Sequence, residues 1–114
     1  MSVLRSRLKP ASDEYRENAG AMRAMIADLR AQHARVREGG DAAARERHVS
    51  RGKLLPRDRI AALLDEDREF LELSALAAHE LYDNQVPAAG VITGVGRIHG
   101  RECVLIANDA IMAG

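Results

Sequence analysis

Four cations, Arg51, Lys53, Arg57 and Arg59, fall within nine residues of the run Arg51-Gly52-Lys53-Leu54-Leu55-Pro56-Arg57-Asp58-Arg59-Ile60. Clustered guanidinium and ammonium groups beside a helix start suit a phosphate or another anion, through charge-assisted hydrogen bonds and the positive end of the helix dipole. The same spacing also suits a solvated basic face paired with Asp58, Asp65 and Glu66, and spacing alone leaves both readings open. His33, His48, His79 and His99 are too dispersed for a metal site, and the single cysteine, Cys103, builds no zinc cluster. Cys103 sits in an apolar run, where a buried, inert thiol is expected; a nucleophile would need a base and an accessible thiolate. Ser50 and Ser74 carry no nucleophile signature. Gly94-Val95-Gly96 begins like a dinucleotide loop, but His99 stands where the third glycine belongs and no helix follows. These glycines read instead as marks of twist or close backbone approach within a strand. The expectation is no catalytic residue and no metal ligand.

The elements that carry the basic run follow from periodicity. Tyr15, Ala19, Met22, Met25, Ile26, Leu29 and Val36 recur at three- and four-residue steps, which predicts one long helix from about Ser12 to Glu38 with a single apolar stripe. Ser12 is its N-cap, Asp13 and Glu14 suit its positive end, and Gly39-Gly40 stops it. A shorter helix starts at an Asp41 cap, runs to about Val49 and closes at Gly52. A third begins at Pro56, a residue suited to a first helical position, with Ile60, Leu63 and Leu64 turned inward. Phe70 to Leu73 reads as short and extended or turn-like, and His79 to Ala89 as a polar connector in which Pro87 bars regular helix. From Gly90 the pattern is β: Val91 to Ile98, a His99-Gly100 turn with Gly100 at positive φ, then Arg101 to Ala107. Arg97 is expected diagonal to Glu102 across that hairpin.

Composition bounds the class. The 114 residues fit one domain. Lys plus Arg equals Asp plus Glu at 17 each, which argues against a nucleic-acid binder, and no apolar run approaches the roughly 18 residues of a membrane span. One cysteine excludes an internal disulfide, and the basic start lacks a secretory stretch, so cytoplasm is the expected location. The run Cys103 to Ala107 is apolar on both faces, which predicts a strand lying inside a sheet and covered on two sides. A lone hairpin is marginal in water, so further strands and helices are expected from a longer protein or a partner.

The order of motifs resembles a known family. Arg51 to Ile60 followed by Phe70-Leu71-Glu72-Leu73 is similar to the N-terminal signature of acyl-CoA carboxylase carboxyltransferase subunits. Leu81-Tyr82-Asp83-Asn84, Gly90-Val91-Ile92-Thr93-Gly94-Val95-Gly96-Arg97 and Ile106-Ala107-Asn108-Asp109-Ala110 resemble the methylcrotonoyl-CoA carboxylase branch, with geranyl-CoA carboxylase as the nearest sibling. The resemblance implies an α+β or α/β chain: N-terminal helices, then a β-hairpin that starts a crotonase-like domain of ββα units. Residues 1–40 would form a docking helix and 41–114 the incomplete start of that domain. It further implies transfer of a carboxyl group from carboxybiotin to an acyl-CoA of the 3-methylcrotonoyl kind, as in leucine breakdown, with backbone amides downstream holding the enolate oxygen. Biotin would ride on a partner subunit, with none bound by this stretch alone, and the carboxyltransferase subunit would form a homo-oligomer. Arg51, Lys53, Arg57 and Arg59 then become candidates for the coenzyme A phosphates. Two positions depart from the family pattern. Ala88-Ala89 replace common glycines, which implies a less extreme backbone there, and Ala113 replaces a lysine. The alternative from another class is a non-catalytic helical module that docks through Met22 to Leu29.

Overall fold

The computed structural model describes residues 2–67 and 69–111, and the expectation attached to Ala113 lies outside them. The chain divides into two compact units, Met1–Gln32 and His33–Gly114. The second unit therefore begins within the first helix and takes in its last turn and the Gly39-Gly40 stop.

In the first unit the periodic stripe forms a helix. Helix α1, Asp13–Glu38, starts where the Ser12 hydroxyl accepts the Tyr15 N–H at 3.2 Å, with Asp13 and Glu14 in its first turn. Met22, Met25 and Leu29 are exposed. No helix among the described residues is long and apolar enough to cross a membrane.

In the second unit, Gly39 leaves α1 at φ 76°, and Asp41 caps helix α2, Ala42–Ser50, by accepting the Ala44 N–H at 2.7 Å. Gly52 turns the chain at φ 74° into helix α3, Pro56–Leu63, which has Pro56 in its first turn. Strand β1, Leu71–Leu73, pairs antiparallel with β2, Val91–Ile98, and β2 pairs with β3, Arg101–Asn108, giving the order β1-β2-β3. The hairpin turn places His99 and Gly100 both at positive φ, 47° and 76°, as a two-residue turn that follows strand twist requires. The core is Ile60, Ile92 and Leu105, with Leu64, Phe70, Ile98, Cys103 and Ala107 packed on it. Gly94 and Gly96 serve close approach: a Cβ on Gly94 would collide with the Phe70 ring and the Leu71 carbonyl, and one on Gly96 with the end of Leu64.

Four expectations need correction. Leu63 points to solvent, while Ile60 and Leu64 face the sheet; at about 100° per residue Leu64 lies nearer the Ile60 direction than Leu63 does. Cys103 is half-buried rather than buried. Arg97 stands directly opposite Glu102, at 3.9 Å, because the tight turn pairs Ile98 with Arg101 and so aligns the next rung. Among the described residues β3 lies at one side of the sheet, with Leu105 buried on one face and Val104 and Ile106 exposed on the other. The connector from Leu76 to Gly90 is built of tight turns, including Tyr82–Asn84 and Pro87–Gly90. Ala88 and Ala89 keep a left-handed backbone, φ 53° and 54°, so the change from glycine does not relax it. Each such residue costs about 1–2 kcal/mol relative to a right-handed conformation. The turn holds because the Ala89 N–H donates to both the Val86 and Ala77 carbonyls and Ala88 is buried.

Candidate functional site

The basic run spans the end of α2, the link and the first turn of α3. Arg51 closes α2, and its N–H donates to the His48 carbonyl at 3.3 Å. The His48 Nε2 lies 3.0 Å from the Leu54 carbonyl, which ties the link back to α2. Arg51, Lys53 and Arg59 are exposed and form no ion pair among the described residues.

Arg57 behaves differently. Its Nη1 and Nη2 donate to Glu72 Oε2 and Oε1 at 2.5 and 2.8 Å, a two-pronged pair that joins α3 to β1. The two side chains are 24% and 12% exposed, so this pair is largely withdrawn from water. Residues two apart on a helix point about 200° apart, so Arg57 turns to the sheet while Arg59 turns to solvent. The structure thus separates the four cations. Three remain available to an anion, and Arg57 has its hydrogen-bonding fork filled by a carboxylate. Glu72 was the partner that local spacing did not reveal, since Asp58, Asp65 and Glu66 were the carboxylates near in sequence.

Asp65 instead clamps the hairpin. Its carboxylate accepts the His99 and Gly100 N–H groups at 2.6 and 2.8 Å, and its own N–H donates to the Arg97 carbonyl at 2.9 Å. The Gly100 N–H, with the His99 N–H and the charges of His99 and Arg97, holds the Asp65 carboxyl below its ordinary pKa against the opposing effect of desolvation. No sequence pattern pointed to this role; a carboxylate 34 residues from the turn it caps gives no local signal.

Two concavities adjoin these elements. A hollow of about 20 Å³, lined by residues that include Leu55, Pro56, Arg57, Ile92 and Asp109, has room for about one water molecule. An open cleft of about 740 Å³ lies between the start of α2 and the connector, with Arg35, Arg47, Asp41 and Asp83 on its walls. The sequence reading did not single out Arg35 or Arg47.

Residues 47–114, more than half of the chain and including the whole basic run, match the family described as the carboxyl transferase domain. The chain belongs to this carboxyl transferase family. It is 52% identical over 114 residues to the probable methylcrotonoyl-CoA carboxylase beta chain, mitochondrial, of Drosophila melanogaster, covering 99% of this chain and 20% of that one. It is also 52% identical over 92 residues to the biotin-dependent 3-methylcrotonyl-coenzyme A carboxylase beta1 subunit of Mycobacterium tuberculosis, covering 81% and 17%. Among solved structures it superposes on the beta subunit of Pseudomonas aeruginosa (P. aeruginosa) geranyl-CoA carboxylase with a TM-score of 0.82 at 35% identity, covering 96% of this chain and 20% of that chain. Transcarboxylase 12S, solved as a hexamer assembly with methylmalonyl-coenzyme A bound, gives a TM-score of 0.71 at 33% identity, over 82% and 19%. The chain spans about a fifth of the length of these carboxyl transferase relatives.

Proposed function

We propose that this chain forms the N-terminal part of a biotin-dependent carboxyltransferase subunit, which moves a carboxyl group from carboxybiotin to an acyl-CoA of the 3-methylcrotonoyl kind. In this reading the helices and sheet open the crotonase-like domain, and the chain's own task is to hold the substrate's handle. The observation that carries it is the set Arg51, Lys53 and Arg59: exposed, without ion-pair partners among the described residues, and inside the family-matched stretch. Exposed guanidinium and ammonium groups hold phosphate through charge-assisted hydrogen bonds. The coenzyme A phosphates are far from the carbon that receives the carboxyl group, so these contacts serve binding rather than chemistry.

Biotin supplies the activated carboxyl group when it is brought by its partner subunit. The hollow of about 20 Å³ beside Arg57 is too small for biotin's fused rings. In this reading biotin docks elsewhere on the whole subunit, which forms a homo-oligomer. The exposed stripe Met22, Met25 and Leu29 is the docking face of the N-terminal segment 1–40.

Steady-state kinetics of the assembled carboxylase test the substrate role. Arg51→Ala, Lys53→Ala and Arg59→Ala are each expected to raise KM for acyl-CoA while kcat stays nearly constant. The effect should shrink as salt rises, because exposed charges are screened over about 8–10 Å at physiological ionic strength. Three unchanged KM values would reduce the cations to a solvated face.

A further inference from the structure

The link from α2 to α3 carries Arg51 and Lys53, both exposed, and its two ends are fixed by hydrogen bonds. At the α2 end, the Ser50 hydroxyl donates to the Arg47 carbonyl at 3.0 Å. The Arg51 N–H donates to the His48 carbonyl at 3.3 Å, and the Gly52 N–H to the Val49 carbonyl at 2.9 Å. Gly52 then turns the chain at φ 74° with open space where a side chain would stand, so glycine serves the backbone there and not the packing. At the α3 end, the Arg59 N–H donates to the Leu55 carbonyl at 3.0 Å. Between these ends, among the described residues, no backbone hydrogen bond reaches Lys53 or Leu54. A side chain ties that stretch instead. The half-buried His48 sets its Nε2 3.0 Å from the Leu54 carbonyl, six residues on. A carbonyl oxygen only accepts, so Nε2 carries the hydrogen in the neutral and the charged ring alike, and this nitrogen is not available as a base.

We propose that His48 is a positioning residue for the anion site: by holding the Leu54 carbonyl, it fixes the link so that Arg51 and Lys53 are presented together to a phosphate group. This role rests on the carboxyl-transfer reading for its ligand, the phosphates of an acyl-CoA. Lysine and arginine side chains already lose much rotamer freedom when they grip an anion. A link that also had to settle into one path would add to that loss, whereas a link held beforehand does not. The tie therefore strengthens binding and leaves the carboxyl transfer itself alone. A directly bound imidazolium would act in another way, through its charge, and would not need the Leu54 carbonyl.

Kinetics of the whole enzyme proposed above separate these roles through three variants. His48→Ala removes the donor, His48→Phe removes it but keeps a ring, and His48→Gln keeps an N–H near the place of Nε2 without a charge. His48→Ala and His48→Phe are expected to raise KM for acyl-CoA about three- to tenfold with kcat nearly constant, and His48→Gln to recover most of the loss. Brief trypsin digestion reads the link itself: cleavage after Arg51 and Lys53 should quicken several-fold in His48→Ala and His48→Phe and return towards the parent rate in His48→Gln. Should His48→Ala fail to fold, the comparison of His48→Phe with His48→Gln decides. If Arg51→Ala and Lys53→Ala raise KM while His48→Ala and His48→Phe do not, the positioning role falls and the substrate reading stands. If the cation variants leave KM unchanged, the substrate reading falls, and the positioning role with it, even where trypsin still finds the link loosened. Equal KM increases in all three His48 variants, or a kcat that falls in step with them, would also overturn the proposal.

Discussion

Arg57 and Arg59 stand two residues apart, and their surroundings assign them different work. The Arg57 fork is filled by Glu72 in a largely buried pair, while Arg59 faces water without an ion-pair partner among the described residues. Truncating one member of such a pair strands the other charge in a poorly hydrated site, at a cost of about 3 kcal/mol. Urea unfolding at fixed protein concentration should therefore show Glu72→Ala and Arg57→Ala destabilised by similar amounts. Arg59→Ala should stay within about 0.5 kcal/mol of the parent, as surface substitutions usually do. Equal losses for Arg57 and Arg59 would contradict this division of roles. The basic cluster was legible in the sequence because its members are adjacent. The division within it was not, because Glu72 lies 15 residues from Arg57 and only the packing of α3 on the sheet brings them together.

Elements here are held to one another by a few backbone-directed contacts. Asp65, just past α3, binds the β2–β3 turn through two N–H groups, and its carboxyl is held below its ordinary pKa chiefly by the Gly100 N–H. A carboxyl depressed in the folded state contributes stability that is present above the unfolded pKa, about 3.9, and is lost as pH falls through the folded value. The stability gap between the parent and Asp65→Asn should thus be widest near neutral pH and narrow below about pH 4. Urea midpoints measured from neutral to acidic pH check it, and a gap independent of pH would remove the clamp's electrostatic part. The two strand glycines should separate in the same way. A methyl on Gly94 meets the Phe70 ring and the Leu71 backbone carbonyl, which cannot move aside, while one on Gly96 meets the flexible end of Leu64. Gly94→Ala is expected to cost about 3 kcal/mol and Gly96→Ala about 1 kcal/mol, the two ends of the range for overpacking. Thermal melts that reverse this order would show that the strands, not the side chains, set the spacing.

At the scale of the molecule, Met22, Met25 and Leu29 leave an apolar stripe exposed on α1. Burial of one aliphatic side chain contributes roughly 1.5–3 kcal/mol, so Leu29→Asp should weaken the attachment of this segment in the whole subunit proposed above. Assembly size and protease resistance measure it, and no change in either would remove the docking role. The three helices, their caps at Ser12 and Asp41, the Pro56 start and the His99-Gly100 turn were legible because each depends on residues a few positions apart. Family membership was legible too, since separated motifs in the right order survive without any knowledge of contacts. The structure alone decided that β1 joins the sheet, that β3 lies at one side of it among the described residues, and that Ala88 and Ala89 keep the left-handed turn. It alone placed Glu72 on Arg57 and Asp65 on the hairpin. Caps, turns and periodicity are short-range steric and hydrogen-bonding effects that a linear reading contains. Strand neighbours, ion-pair partners and the burial of a charge depend on which distant segments meet, and that is settled only when the chain has packed.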